Sequence, residues 1–168
     1  MYILSFLRRF PPGYGDGCPD PLTLFNTNQD GDVLDVYNAR TTPDRYRLVD
    51  RAPWDMAFGC VAPGTFDAEL GYDANNRLCF ILNGGGEIPA VLPNSNNGWR
   101  CVCKSIEIHP EYMEDDPGTP QDESWPGTRG CLVIQRSHWQ RMLDKYFSDG
   151  HGGYRIGEKV KVELKVLT

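Results

Sequence analysis

The chain of 168 residues is 40% hydrophobic and 24% charged, which is typical of a soluble globular protein. Its net charge of −6 at pH 7 and its isoelectric point near 5.0 argue against nucleic-acid binding, which needs clustered lysine and arginine. The length predicts one domain, residues 1–168. No apolar run reaches the length of about 18 residues that a membrane-spanning helix needs, so we expect no membrane span.

The composition favours a mainly β fold with one or two short helices. The 18 glycines and 13 prolines predict many turns and leave little room for long helices. The first strand is predicted from Tyr2 to Leu7. The following segment, Pro11 to Pro21, is rich in proline and glycine and is predicted to be a connector without regular structure.

A hairpin is predicted next, with strands at Leu22–Phe25 and Asp32–Tyr37. Its turn carries oxygen ligands at alternate positions from Asn26 to Asp32, with Gly31 in the sixth position, as in a calcium-binding loop. The twelfth position, however, is a tyrosine rather than the glutamate that such a loop needs. A solvated hairpin turn is therefore favoured over a calcium site.

The middle of the chain alternates short strands with glycine-rich turns. Thr65–Leu70 is predicted to be a strand, and Leu78–Leu82 a continuous apolar strand that is buried on both faces. The triple glycine within residues 83–87 lacks the Lys-Ser/Thr pair and the helix start of a phosphate loop, so we interpret it as a loop near a site. Cys101 and Cys103 alternate on a strand and form a poor metal site, and we expect neither a metal nor a cofactor.

A histidine and a cysteine occur where two further strands are predicted to end and to begin. The strand Trp99–Ile108 leads into His109, residues 110–127 form an 18-residue polar connection, and Cys131 precedes the strand Leu132–Ile134. A catalytic thiol needs an imidazole to take its proton, because a free cysteine has a pKa of about 8.5 and reacts as the thiolate. This order predicts a cysteine nucleophile with a histidine base.

The residues near this pair fit the same chemistry. Gly130 lets backbone N–H groups approach the sulfur, where they can bind an oxyanion. Arg129 can pair with a substrate carboxylate, and Thr128 can hydrogen bond to the histidine or to the substrate. Trp125 can cap the cleft at the end of an acid-rich connection, which is either a solvated surface loop or a lid.

The chain is predicted to close with a helix and a strand. Ser137 can cap a helix that continues to Phe147, because apolar side chains recur there at helical spacing. His138 falls on the polar side of this helix and is predicted to be inert. Gly157–Leu167 alternates apolar and charged residues and is predicted to be the final strand.

These motifs carry a family resemblance. The order of His109, a long gap and Thr128-Arg129-Gly130-Cys131 before an apolar run resembles the catalytic domain of L,D-transpeptidases of the YkuD type. The turn at Pro63-Gly64 and the closing helix and strand are also similar to that family. The resemblance covers residues 22–167, leaves residues 1–21 as an N-terminal extension, and implies an L,D-transpeptidase-like β-sandwich or barrel. Small family members from phages and secreted effectors are the most similar.

The resemblance implies an enzyme that acts on peptidoglycan. Cys131 would form an acyl-enzyme with a stem peptide and would cleave or exchange the peptide bond without a cofactor. Val133 stands where transpeptidases commonly carry arginine or asparagine to hold the donor peptide, which favours cleavage or exchange over cross-link formation. Two alternatives remain open: a catalytically silent phage or secretion-apparatus protein that keeps the scaffold for binding, and a cysteine hydrolase that acts on another amide.

The N-terminal segment does not have the pattern of a secretory signal. Arg8 and Arg9 follow the apolar residues, whereas a signal peptide places its positive charges before them. We therefore expect synthesis in the cytoplasm and delivery to the cell wall by a phage particle or a secretion machine, with a virion or secretion-machine component as partner.

Overall fold

The computed structural model describes residues 1–9, 20–27, 31–41, 60–91, 100–110 and 131–167. These residues form a mainly β structure with one α-helix, α1 (Arg136–Tyr146), which confirms the fold class predicted from the sequence. The strands are β1 (Tyr2–Arg8), β2 (Asp20–Asn26), β3 (Val33–Arg40), β4 (Cys60–Val61), β5 (Gly64–Tyr72), β6 (Leu78–Leu82), β7 (Ile88–Val91), β8 (Arg100–Cys103), β9 (Glu107–Pro110), β10 (Leu132–Ile134) and β11 (Lys159–Val166).

Eight strands close into a barrel in the order β1-β11-β5-β6-β9-β10-β3-β2, and β4, β7 and β8 form a separate three-stranded sheet. The pairs β1–β11 and β9–β10 are parallel, and the other neighbours in the barrel are antiparallel. Closure pairs the first strand with the last, so the barrel has no open edge along β1. β1 lies in the segment that the sequence sets apart as an N-terminal extension, yet it is a full strand of the barrel.

The barrel interior is filled by alternate residues of each strand, because successive side chains of a strand point to opposite faces. Leu4 and Phe6 of β1 are fully buried there, and so are Ile108 of β9 and Leu132 and Ile134 of β10. The residues between them, such as Ser5, His109 and Val133, therefore point to the outer face of the barrel. This alternation determines which side chains of β9 and β10 can belong to a site.

Helix α1 packs against β3 and β9 of the barrel. Trp139, Met142 and Leu143 are buried at helical spacing and join the core. The ring centroid of Trp139 lies 5.8 Å from that of Phe80, which points into the barrel from β6. The helix begins at Arg136 after Gln135, and the N-cap residue makes no side-chain cap hydrogen bond. The predicted cap, Ser137, thus lies inside the first turn.

The predicted strand Trp99–Ile108 is wrong as a single element. The chain instead leaves β8 at Cys103, turns at Ser105 with a φ of 56°, and enters β9 at Glu107. β8 pairs with β7 in the small sheet, whereas β9 pairs with β6 and β10 in the barrel. The alternation in the sequence continues through the turn, so the pattern alone does not show the change of sheet.

The hairpin predicted from residue 22 is present as the antiparallel pair β2–β3. The middle of its turn, residues 28–30, lies outside the described residues, as do residues 11–19 of the connector predicted after β1. The last two residues of that connector, Asp20 and Pro21, instead begin β2. No helix within the described ranges has the length and apolar character to cross a membrane.

Candidate functional site

His109 and Cys131 lie on neighbouring parallel strands of the barrel. Residue Leu132 pairs with Ile108, and Val133 pairs with His109. Continued by one residue, this register sets Cys131, which directly precedes β10, beside Glu107. Because alternate residues share a face, His109, Glu107, Cys131 and Val133 all point to the outer face of the barrel.

The histidine and the cysteine are diagonal neighbours on that face. Strands lie about 4.8 Å apart and rise about 3.3 Å per residue, so the two Cα atoms are separated by roughly 8 Å. Diagonal pairs at this separation are within reach of long and aromatic side chains. The register of β9 and β10 therefore brings the predicted base and the predicted nucleophile to the same part of the barrel's outer face.

The hydrogen bonding of His109 sets its tautomer. The ring is buried, and its Nδ1 lies 2.8 Å from the backbone oxygen of Pro110. A carbonyl oxygen only accepts hydrogen bonds, so Nδ1 carries the proton and donates it to this oxygen. In the neutral ring Nε2 is then the unprotonated nitrogen, which is the form that a general base needs.

The surroundings of Cys131 favour the protonated thiol. Burial raises the pKa of this thiol to about 11, and the negative charge of Glu107 acts in the same direction. A hydrogen bond from the backbone N–H of Glu107 to the sulfur opposes this shift and stabilises the thiolate. The backbone donor supports a sulfur anion once it forms, although the anion is rare at neutral pH.

Two residues that the sequence analysis did not single out complete this part of the surface. Glu107 is partly buried between Ile81, its partner on β6, and Cys131 on the other side. Its carboxylate accepts a hydrogen bond from the thiol of Cys79, which is fully buried. Burial and the charge of Glu107 raise the pKa of the Cys79 thiol to about 12. Cys79 is therefore a donor to the carboxylate and not a second nucleophile.

A cleft opens on the outer face near this cluster. It has a volume of about 520 Å³ and is lined by residues that include Glu69 of β5, Ile81 of β6 and Lys159 of β11. Glu69 pairs with both Lys159 and Ile81, and Ile81 pairs with Glu107. The cleft therefore begins two strands from Cys131, along one row of residues that crosses the sheet.

Gly130, Arg129, Thr128 and Trp125 lie outside the described residues, as does the acid-rich connection. Val133, which replaces the usual anchoring residue of the transpeptidases, is buried and faces the same side as Cys131. Among the described residues no group of three or more His, Cys, Asp and Glu side chains could hold a metal ion.

Comparisons with protein-family models, with curated proteins and with solved structures found no match for this chain.

Proposed function

We propose that the protein is a cysteine enzyme of the L,D-transpeptidase type that cleaves or exchanges stem-peptide bonds of peptidoglycan. The observation that carries the proposal is the diagonal placement of His109 and Cys131 on one face of the parallel pair β9–β10. The tautomer of His109 supports it further, since its Nε2 is the atom able to accept a proton.

In the first half of the reaction, Nε2 of His109 takes the proton of the Cys131 thiol while the sulfur attacks a peptide carbonyl. The high pKa of the thiol makes this transfer necessary, because about one thiol in ten thousand would be ionised at pH 7. The C–S bond forms, the C–N bond breaks, and the imidazolium returns its proton to the leaving amine. The product is a thioester on Cys131.

In the second half, an amine or a water molecule attacks the thioester. His109 accepts the proton of this nucleophile and returns it to the departing sulfur, which restores the thiol. An amine gives exchange of the peptide bond, and water gives cleavage. Gly130 and Cys131 are the residues whose backbone N–H groups we assign to the oxyanion, because they adjoin the reacting sulfur in the chain.

The proposal is tested by incubating the protein with purified peptidoglycan and with a tetrapeptide stem. We expect new muropeptides by mass spectrometry, and we expect Cys131→Ala and His109→Ala to abolish them. A thioester adduct on Cys131 should be trapped on the intact protein at short times. Identical muropeptide profiles for the wild type and Cys131→Ala would refute the proposed enzymatic activity.

A second function has its own supporting observation. The raised pKa of Cys131 and the burial of His109, which is 3% exposed, favour a scaffold that binds a phage or secretion-apparatus partner without catalysis. This alternative predicts that Cys131→Ala binds peptidoglycan or its partner as the wild type does, and that no thioester forms. Pull-down of the wild type and of Cys131→Ala on insoluble peptidoglycan, together with the measurement of the thioester adduct, distinguishes the two functions.

A further inference from the structure

We propose that Glu107 forms a subsite for an ammonium group of the substrate, next to the reacting carbonyl at Cys131. The inference rests on the proposed function, because it assumes that an amide substrate lies against Cys131. It goes beyond that function by naming a charge that the substrate should carry and the residue that selects it.

The position of Glu107 carries the proposal. The residue lies beside Cys131 in the register of β9 and β10, and its backbone N–H bonds to the sulfur. Its side chain emerges on the same face as the nucleophile and is partly buried. A group bound by this carboxylate therefore lies about one strand spacing, roughly 5 Å, from the reacting atoms.

The carboxylate has capacity for a further donor. One of its hydrogen bonds comes from the thiol of Cys79, whereas a carboxylate offers about four acceptor positions. The charged groups that act on it are Asp73 and Arg77 from the turn before β6. Nε of Arg77 is bonded to Asp73 at a distance of 3.1 Å, and the charge of Arg77 also acts on Glu107, so this cation is shared between two carboxylates. An incoming ammonium group would complete the charge balance at Glu107.

An ammonium group at Glu107 also acts on the nucleophile. The negative charge of Glu107 disfavours the thiolate of Cys131, and a bound cation cancels this charge. A cationic substrate would therefore favour ionisation of the thiol that attacks it. An anionic substrate would be repelled by Glu107 and would also disfavour the thiolate. The neighbouring cleft supplies room for the rest of such a substrate, since Ile81 lines the cleft and pairs with Glu107.

The test uses small thiol reagents and needs no turnover. Cys131 is labelled at pH 8 with 2-aminoethyl methanethiosulfonate, which is cationic, and with methyl methanethiosulfonate, which is neutral. Each reagent forms a mixed disulfide and releases methanesulfinate. Labelling of Cys131 is followed by peptide mass spectrometry, which separates it from the other cysteines. The ratio of the two rates is the measured quantity, because a change in the thiol pKa affects both reagents equally and cancels.

We expect the cationic reagent to be preferred in the wild type and Glu107→Gln to lower the ratio about tenfold, the effect of one nearby charge in a partly buried setting. Glu107→Asp, which retains the charge, should keep most of the preference. Glu163→Gln removes an outer-face carboxylate on β11 and should leave the ratio unchanged within about twofold. The neutral reagent reports whether each variant still presents Cys131 as the wild type does.

A ratio that is the same in Glu107→Gln and in the wild type would overturn the subsite. This result differs from a failure of the proposed function, which would show as absent muropeptides while the charge preference at Cys131 persists. If turnover occurs, stem peptides with and without an amine next to the scissile bond give a second readout. Glu107→Gln should then lose activity on the amine-bearing peptide and keep its activity on the neutral one.

Discussion

At the scale of single residues, the state of the Cys131 proton decides how the site can work. Burial holds the pKa of this thiol at about 11, in contrast to cysteine nucleophiles that exist as thiolates at neutral pH. In the proposed reaction, His109 would then remove the proton during the attack rather than before it. The backbone N–H of Glu107 is suited to this order, because its hydrogen bond gains strength as the charge develops on the sulfur.

The pH dependence of alkylation at Cys131 follows from this state. We expect the rate with iodoacetamide, measured by peptide mass spectrometry, to rise through a midpoint near pH 11, since only the thiolate reacts. At pH 7 the rate should be at least about a hundredfold below that of an unperturbed cysteine, because each unit of pKa is tenfold in the thiolate fraction. A midpoint at or below about 8.5 would contradict this and would reveal a stabilised thiolate.

The sequence analysis names the two candidate catalytic residues but not their neighbours. His109 and Cys131 are recognisable from residue type, order and the strands beside them. Glu107 and Cys79 became visible only with the register, because the contact between them joins β9 to β6 across a gap of 28 residues in the chain. The alternation around Ile108 did indicate that Glu107 shares the face of His109, and this was the one available signal.

At the scale of elements, a histidine of helix α1 forms a hydrogen bond with the backbone of β3. Nδ1 of His138 accepts a hydrogen bond from the backbone N–H of Asn38 at 2.8 Å, so this side chain is structural and not inert. Burial lowers its pKa, and the charge of Arg141 lowers it further. Protonation would remove the acceptor, and the fold therefore favours the neutral ring.

This contact predicts a loss of stability in mild acid. A histidine whose pKa is lowered by folding binds its proton more readily when unfolded. Its contribution is complete above the unfolded pKa of 6.5 and is lost as the pH falls below that value. Between about pH 7.5 and pH 5.5, the free energy of unfolding should fall more in the wild type than in His138→Asn, which keeps an acceptor but does not titrate.

Urea unfolding at several pH values measures this difference. His151→Asn, which changes an exposed histidine in the loop after α1, controls for the loss of a histidine elsewhere. If the free energy of unfolding changes with pH in the same way in the wild type and in His138→Asn, protonation of His138 does not affect stability.

Element boundaries followed the sequence where local pattern and pairing agreed. Leu78–Leu82 and Leu132–Ile134 were predicted with the bounds that β6 and β10 have. The break between β8 and β9 was missed, because Ser105 adopts a positive φ without the glycine that usually marks such a turn. Long-range pairing with two different sheets, and not local propensity, separates these strands.

At the scale of the whole molecule, a buried arginine joins the barrel to the small sheet. Arg8 ends β1, is 2% exposed, and donates to the hydroxyl and carbonyl oxygens of Thr41 at 3.1 and 2.9 Å and to the carbonyl of Val61 at 2.8 Å. Asp20 accepts from the hydroxyl of Thr41 at 2.7 Å. Because β3 pairs with β10, this network lies beside the start of β10 and so near Cys131.

No local pattern predicted this network or the closure of the barrel. The parallel pairing of β1 with β11 joins residues that are more than 150 positions apart, such as Ile3 and Lys161. In the sequence, Arg8 and Arg9 bear only on the question of a secretory signal. The register between the first and last strands was needed to show that Arg8 lies at the end of β1 that adjoins the small sheet.

Removal of this arginine should therefore destabilise the whole domain. We expect Arg8→Met to lower the free energy of unfolding by about 3 kcal/mol or more, because it leaves the three buried oxygens of Thr41 and Val61 without their donor. Lys165→Met, which removes an exposed charge, should change it by no more than about 0.5 kcal/mol. Urea unfolding followed by circular dichroism measures both. A loss below about 1 kcal/mol in Arg8→Met would mean that other contacts, and not this network, hold the small sheet on the barrel.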